Sequence, residues 1–210
     1  SRKREVSSIP SNKVSGLLQK TTLQRFPFCF SISSPLVPDI LCLAKGISAG
    51  YIPLGATVFN KRITDAIENS QDFSGMIMHG YTYSGHPTAC AAALAVLDIV
   101  EKEDLPGNAK KVGAHLKEAL LPLVEKFAHL GEVRGKGLML ALDLVVDKAT
   151  REPVNPMDGY ANRIAEAAKQ NGVLVRPVGT KIILSPPLTL TIEEADKMAA
   201  ALDTAFSTVK

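Results

Sequence analysis

The feature that most limits the folds open to this chain is a change of texture at Pro38. Residues 1–36 are rich in Ser, Thr and Lys and hold no helical or strand period. From Pro38 onward, short apolar runs of strand length alternate with amphipathic runs of helix length, each bounded by Gly, Pro or Asn. ILCLA reads as a buried strand or the entry from a strand into a loop, and LGATVFN as a second strand. KRITDAIENS reads as a short amphipathic helix, and HPTACAAALAVLDIVEKEDL as an Ala-rich helix, apolar nearly all round and therefore buried on most faces. PGNAKKVGAHLKEALLPLVEKF is a longer amphipathic helix, with Pro106 near its start, Leu116, Leu120 and Leu123 in register, and Pro122 placed to bend it. It reads as a connector between two lobes. GEVRGKGLMLALDLVVD is expected as one Gly-punctuated strand and DGYANRIAEAAKQNG as a helix closed by Gly172. VLVRPVG and KIILSPPL should be strands around Gly179-Thr180. The last helix opens with Thr191 and Glu194 at capping-box spacing. Helices alternating with short strands indicate α/β or α+β architecture.

At 210 residues the chain can bury the core of one large or two small domains. Its formal charge of +3 owes much to Arg2, Lys3, Arg4, Lys13 and Lys20, met in that segment by Glu5 alone. These basic residues are not interleaved with aromatics, so they read as a solvated tail and not as a nucleic-acid surface. Cys29, Cys42 and Cys90 have neither paired nor metal-like spacing, which points to a reducing interior, cytoplasmic or mitochondrial, and to no metal. No apolar run approaches a membrane span. His79 and His86 read as residues holding a loop, and His115 and His129 as solvated.

Three sites carry chemistry. Lys45 lies in LAKGISAGYIPLGATVF, a lone amine among small and apolar residues. Burial there would favour the neutral amine that Schiff-base chemistry needs, although a lysine after a short strand is more often solvated. In HGYTYSGHPTACAAALA, Thr82, Ser84 and Gly85 precede a helix, where hydroxyls and free N–H groups suit a phosphate. The bland alternative is helix capping by Ser84 or a neighbour. Arg176, on a strand beside a Gly turn, can clamp a carboxylate, although an arginine there is more often a plain surface residue.

Four ordered stretches carry a resemblance: PDILCLAKGISAGYIPLGATV, HGYTYSGHPTACAAALAVLDIV, GEVRGKGLMLALDLV and VLVRPVGTKIILSPPLTLTIEEAD. From about Val37 to the C-terminus the chain resembles the last part of class III pyridoxal-phosphate aminotransferases. The wording TYSGHP favours the ω-amino-acid (β-alanine or amine):pyruvate group. The resemblance implies a fold-type I transferase in which residues 37–105 are the C-terminal part of the cofactor-binding large domain and 106–210 an α+β small domain. It implies that Lys45 holds pyridoxal 5′-phosphate as a Schiff base and then shuttles the substrate proton. Thr82, beside Tyr81, would reach the cofactor phosphate of the other subunit, and Arg176 would bind the substrate carboxylate. The partners implied are a small-molecule amino donor, a 2-oxo acid acceptor, and a second copy of the chain, in a homodimer or dimer of dimers with the active site at its interface.

The pattern breaks toward the N-terminus. The family's aspartate for the pyridine nitrogen falls, by counting back from Lys45, on Gly16 within SNKVSGLLQ. A GFGRTG loop is also missing from residues 17–36. Residues 1–36 are therefore read as a non-matching segment, disordered or non-homologous. The competing reading of function is a truncated, catalytically inactive fragment serving only as a dimerisation or interaction module. A Schiff-base aldolase is disfavoured, because a barrel needs more strand–helix units.

Overall fold

The structure is a computed structural model that describes residues 38–71 and 75–209. Expectations for residues 1–36, Cys29 among them, lie outside the described residues. The chain divides into two compact units between Glu103 and Asp104.

In the first unit, β1 (Ile40–Ala44) pairs antiparallel with β2 (Gly55–Phe59), from Ile40 opposite Phe59 to Ala44 opposite Gly55. The pair is less buried than its apolar sequence suggests: along β1 only Leu41 is buried. Helix α1 (Lys61–Glu68) starts at Asn60, whose side chain accepts from the Ile63 amide. Asn60 and Arg62 also hold Asp39, at 2.5 and 2.9 Å. Those contacts, the guanidinium first, lower the Asp39 pKa below its ordinary value. Helix α2 (Pro87–Lys102) buries Ala89, Ala93, Leu97 and Val100, one stripe at three- and four-residue spacing. The expectation of burial on most faces is corrected, since Leu94 and Ile99 are 51% and 50% exposed. Alanine and leucine all round give a helix no preferred face, and contact partners in this unit lie on one side.

The second unit opens with helix α3 (Leu105–Lys126), capped by Asp104 and carrying Pro122 inside it. This helix belongs wholly to the second unit and is not a connector. It packs on β3 and on the last helix. The stretch expected as one strand is a hairpin: β3 (Leu130–Lys136) and β4 (Met139–Asp147) reverse at Gly137-Leu138. Gly137 turns the chain there with φ +54. Short β5 (Glu152–Pro153) pairs with β4, helix α4 (Tyr160–Gln170) follows, and Gly172 leaves it at φ +84. The hairpin β6 (Arg176–Val178) and β7 (Lys181–Leu184) turns at Gly179-Thr180, as its spacing predicts. The antiparallel order is β3-β4-β7-β6.

Helix α5 (Ile192–Thr208) carries the expected capping box: Thr191 Oγ1 accepts from the Glu194 amide, and Glu194 Oε2 accepts from the Thr191 amide. The bonds that the Glu194 carboxylate accepts, from the Thr191 amide and then from the Thr191 hydroxyl, lower its pKa below the ordinary value. Leu116, Leu120, Leu130, Leu142, Ile164, Ile182 and Leu202 form a closed core between the helices and one sheet face. At its edge Gly113 of α3 meets Gly137 backbone to backbone, leaving no room for a Cβ. Neither His115 nor His129 is merely solvated. His115 pairs with Asp196 at 2.6 Å; His129 Nδ1 lies 3.1 Å from the Val145 carbonyl and its ring meets Tyr160 edge-on.

Candidate functional site

Lys45 stands at the end of β1, where the chain leaves the last strand pair and enters a short helical turn, Lys45–Ile47. Its φ is +54, a left-handed conformation that costs a residue with a Cβ about 1–2 kcal/mol. Such strain persists only where the surroundings fix it, and it is commonest at functional positions. Here the fixing is visible. Ile47 is buried against Ala93 and Leu97 of α2, with Leu43, Leu54 and Ala56 around it. Ser48, only 2% exposed, donates its hydroxyl to the Ile52 carbonyl at 2.6 Å. The sequence reading passed over Ser48; its one signal is a hydroxyl between Gly46 and Gly50 in an otherwise apolar turn.

The expectation that the Lys45 side chain is buried is corrected: it is exposed. An apolar flanking sequence does not bury a side chain that leaves from a strand end. In this unit those apolar neighbours bury themselves against α2, beneath the turn.

Tyr81 and Thr82 lie in the turn before α2, both exposed, Tyr81 by 75%. Ser84 closes that turn: its Oγ accepts from the Tyr81 amide at 2.8 Å, and its own amide donates to the Tyr81 carbonyl at 2.9 Å. The helix cap is His86, whose Nδ1 accepts from the Ala89 amide at 3.3 Å. His79 stacks edge-on against Tyr81. Ser84 therefore shapes the loop and His86 holds the helix end, which leaves the Thr82 hydroxyl with no protein partner among the described residues. Amine, hydroxyl and helix N-terminus all belong to the first unit, whose Lys45 turn is seated on α2.

Arg176 belongs to the second unit. It opens β6, the edge strand, on the sheet face opposite the core, and among the described residues no carboxylate pairs with it. Arg134 on β3 is the contrast, since its guanidinium grips Asp143 through two nitrogens, at 2.6 and 3.3 Å. Arg176 lines a groove of about 560 Å³ with Leu174, Ile183, Ser185, Pro187 and Met198. An unpaired guanidinium beside apolar walls can take a carboxylate that carries an apolar body.

The donor set suits pyridoxal phosphate: an amine for the aldehyde carbon, a free hydroxyl near a helix N-terminus for the phosphate. The profile of the family described as aminotransferase class-III matches residues 27–206, reaching into the segment before Val37. An uncharacterized aminotransferase of Sinorhizobium fredii, y4uB, is 43% identical over 82% of this chain and 37% of its own length. The adenosylmethionine-8-amino-7-oxononanoate aminotransferase of Geobacter sulfurreducens is 38% identical over 83% of this chain and 38% of its own. Among solved structures, a PLP-bound amine transaminase from an uncultivated Pseudomonas species is 70% identical, with a TM-score of 0.83. The match covers 86% of this chain and 40% of that one. An (S)-enantioselective omega-transaminase from Thermomicrobium roseum gives 39% identity and a TM-score of 0.77. The chain thus spans less than half the length of these relatives, with the fold of the corresponding part of PLP-dependent fold-type I transaminases. It belongs to the class-III aminotransferases.

Proposed function

We propose that this chain supplies the lysine and the carboxylate clamp of an aminotransferase that moves an amino group from an ω-amino acid or amine to a 2-oxo acid such as pyruvate. The observation that carries the reading is Lys45, held at φ +54 on a turn whose next two neighbours, Gly46 excepted, are buried. Nothing in packing calls for a lysine there; glycine would hold that backbone at less cost. The amine therefore serves chemistry. Pyridoxal 5′-phosphate, when bound, supplies an electron sink for the carbon that gives up its proton. Lys45 Nζ would hold the cofactor through its aldehyde carbon and, once free, would take the proton from the substrate carbon as a general base. The Thr82 hydroxyl, with Tyr81 beside it, would donate to the phosphate of the cofactor held by the other subunit. Arg176 would bind the substrate's carboxylate.

The large-domain part is residues 37–105 and the small domain 106–210 in this reading, and the working unit is a homodimer or a dimer of dimers. Tyr81, Tyr83 and Met76–Met78, all exposed here, support a second subunit closing over the loop that carries Thr82. Cys42 and Cys90 are free and exposed, which suits a reducing compartment. No helix among the described residues is long and apolar enough to cross a membrane.

The test is visible absorbance of the purified chain with added cofactor, followed by borohydride reduction and mass mapping. Expected is a band that bleaches on adding β-alanine and a reduced adduct on Lys45, both lost in Lys45→Ala. A band that persists in the variant, or an adduct elsewhere, overturns the assignment. Absence of a band in the unaltered chain favours the fragment reading.

A further inference from the structure

The chain reaches Lys45 fully extended, with Ala44 at φ −158 and ψ −173. Along an extended strand alternate side chains share a face, so one more extended residue would put the Lys45 side chain on the face of Leu43. Leu43 packs against the cluster of Ile47 with Ala93 and Leu97 of α2. Lys45 instead takes φ +54, about half a turn around its N–Cα bond from the extended value, and its side chain is exposed. The left-handed backbone is what keeps the amine off the α2 face.

A second left-handed residue lies in the same turn, Ala49 at φ +48. Ser48 stands between the two, and among the described residues it is the one buried polar residue. It spends every polar group inside the turn. Its amide donates to the Lys45 carbonyl at 3.2 Å, its carbonyl accepts from the Tyr51 amide at 3.0 Å, and its hydroxyl donates to the Ile52 carbonyl at 2.6 Å. Pairing of Ala44 with Gly55 fixes the chain on the amide side of Lys45. Rotation about φ moves the carbonyl side, and that is the side Ser48 grips. Packing of Ile47 seats the turn on α2, but apolar packing has no direction. The hydroxyl bond to Ile52 supplies one, tying Ser48 to the returning leg of the chain.

We propose that Ser48 is a positioning residue for Lys45. Its hydroxyl, bonded to the Ile52 carbonyl, locks the turn in the form that holds Lys45 left-handed and so carries the amine to the open side of the strand pair. This rests on the proposed reading of Lys45 as the cofactor-holding amine. It adds what aims that amine. Ser48 acts through the Lys45 backbone and contacts no reacting atom. Alanine at this position keeps the volume and leaves the Ile52 carbonyl without that donor, so the turn opens to hydrate it and Lys45 is released from its left-handed state.

The experiment has two readouts on the isotopically labelled full-length chain. Backbone carbon shifts and the amide–Hα coupling of Lys45, by NMR without cofactor, read its φ. Borohydride trapping with pyridoxal phosphate, followed by mass mapping, reads the rate at which Lys45 forms its adduct. Expected is a left-handed Lys45 in the unaltered chain and in Ser48→Thr, which keeps the hydroxyl. Ser48→Ala should lose the left-handed signature and slow the adduct about fivefold, the ratio that one neutral hydrogen bond supplies. Ser48→Cys, a weaker donor of similar size, should fall between. The Ala93 and Leu97 signals of α2 should stay in place throughout, which separates aiming from unfolding. An unchanged φ or an unchanged adduct rate in Ser48→Ala and Ser48→Cys overturns this inference alone. No Lys45 adduct in the unaltered chain overturns the lysine reading and this inference with it.

Discussion

Replacing Gly113 by alanine tests the tightest contact in the second unit. In an ordinary helix interior that change is favourable by about 1 kcal/mol, because alanine restricts the unfolded backbone and suits the helix. Here a Cβ on residue 113 would lie 2.2 Å from both the carbonyl carbon and oxygen of Gly137, and 2.7 Å from its Cα. Nonbonded carbons rest about 3.5–4.0 Å apart, so helix and hairpin must separate by more than an ångström. Neither atom set belongs to a side chain that can swing aside. Gly137 is the turn of the β3–β4 hairpin, and Val112 and Leu116 beside Gly113 are packed into the core. Overpacking of this kind costs about 1–3 kcal/mol, with the upper end apt for backbone against backbone. Subtracting the propensity gain leaves a net loss of about 1–2 kcal/mol. Urea unfolding followed by far-ultraviolet circular dichroism measures it, and hydrogen exchange of the α3 amides localises it to the second unit. A Gly113→Ala chain as stable as the original, or more so, refutes the reasoning from close approach.

Thr191→Ala removes one half of the α5 capping box and should cost about 1 kcal/mol in urea unfolding. Because the Glu194 pKa is lowered on folding, its contribution is fully present above the unfolded carboxylate value and disappears as pH falls through the folded value. The stability difference between the original chain and Glu194→Ala should therefore be flat at neutral pH and shrink only on acidification; a difference that grows toward acid contradicts the sign. Asn108 Nδ2 donates to the Leu188 and Leu190 carbonyls, so Asn108→Leu should cost about 1–3 kcal/mol and loosen the loop that walls the groove, read by exchange of the Leu190 amide. Lys45→Gly relieves a left-handed residue and should be neutral to about 1 kcal/mol more stable on thermal unfolding while losing the cofactor adduct; a clear loss of stability means the lysine has a packing role.

Local signals were legible wherever chemistry and backbone coincide. Thr191 with Glu194 fixes a helix start, Gly179 a hairpin turn, and Leu116, Leu120 and Leu123 a helix face, because each depends on residues a few positions apart. The hairpin hidden in RGKGLML was not legible: two glycines in an apolar run look the same whether they punctuate one strand or reverse it, and only the partner strand decides. Which residue near Ser84 caps the helix was open for a related reason: serine ranks above histidine at such positions, yet Ser84 is occupied with the Tyr81 amide and the cap is its neighbour His86. Burial was the least legible property. The apolar text around Lys45 describes what packs beneath the turn, and Leu94 and Ile99 show that an apolar side chain does not bring its own cover. The free state of Arg176 was beyond sequence reading as well, because it depends on which side chains the sheet register brings beside β6.

The pairing of Ala44 with Gly55 has a consequence for how this hairpin tolerates change in length. The position of the lysine is dictated from the strand side, one step beyond the last paired residue and two before buried Ile47. The tip beyond Ser48, with Tyr51 almost wholly exposed, is tied back to the turn through Ser48, which donates to the Ile52 carbonyl and accepts from the Tyr51 amide. Residues added between Ala49 and Tyr51 lengthen a loop at small entropic cost. One residue added between Leu43 and Lys45 turns the amine to the other side of the sheet. Insertions and deletions should therefore accumulate on one side of Ser48 and be excluded from the other, a boundary drawn by strand register.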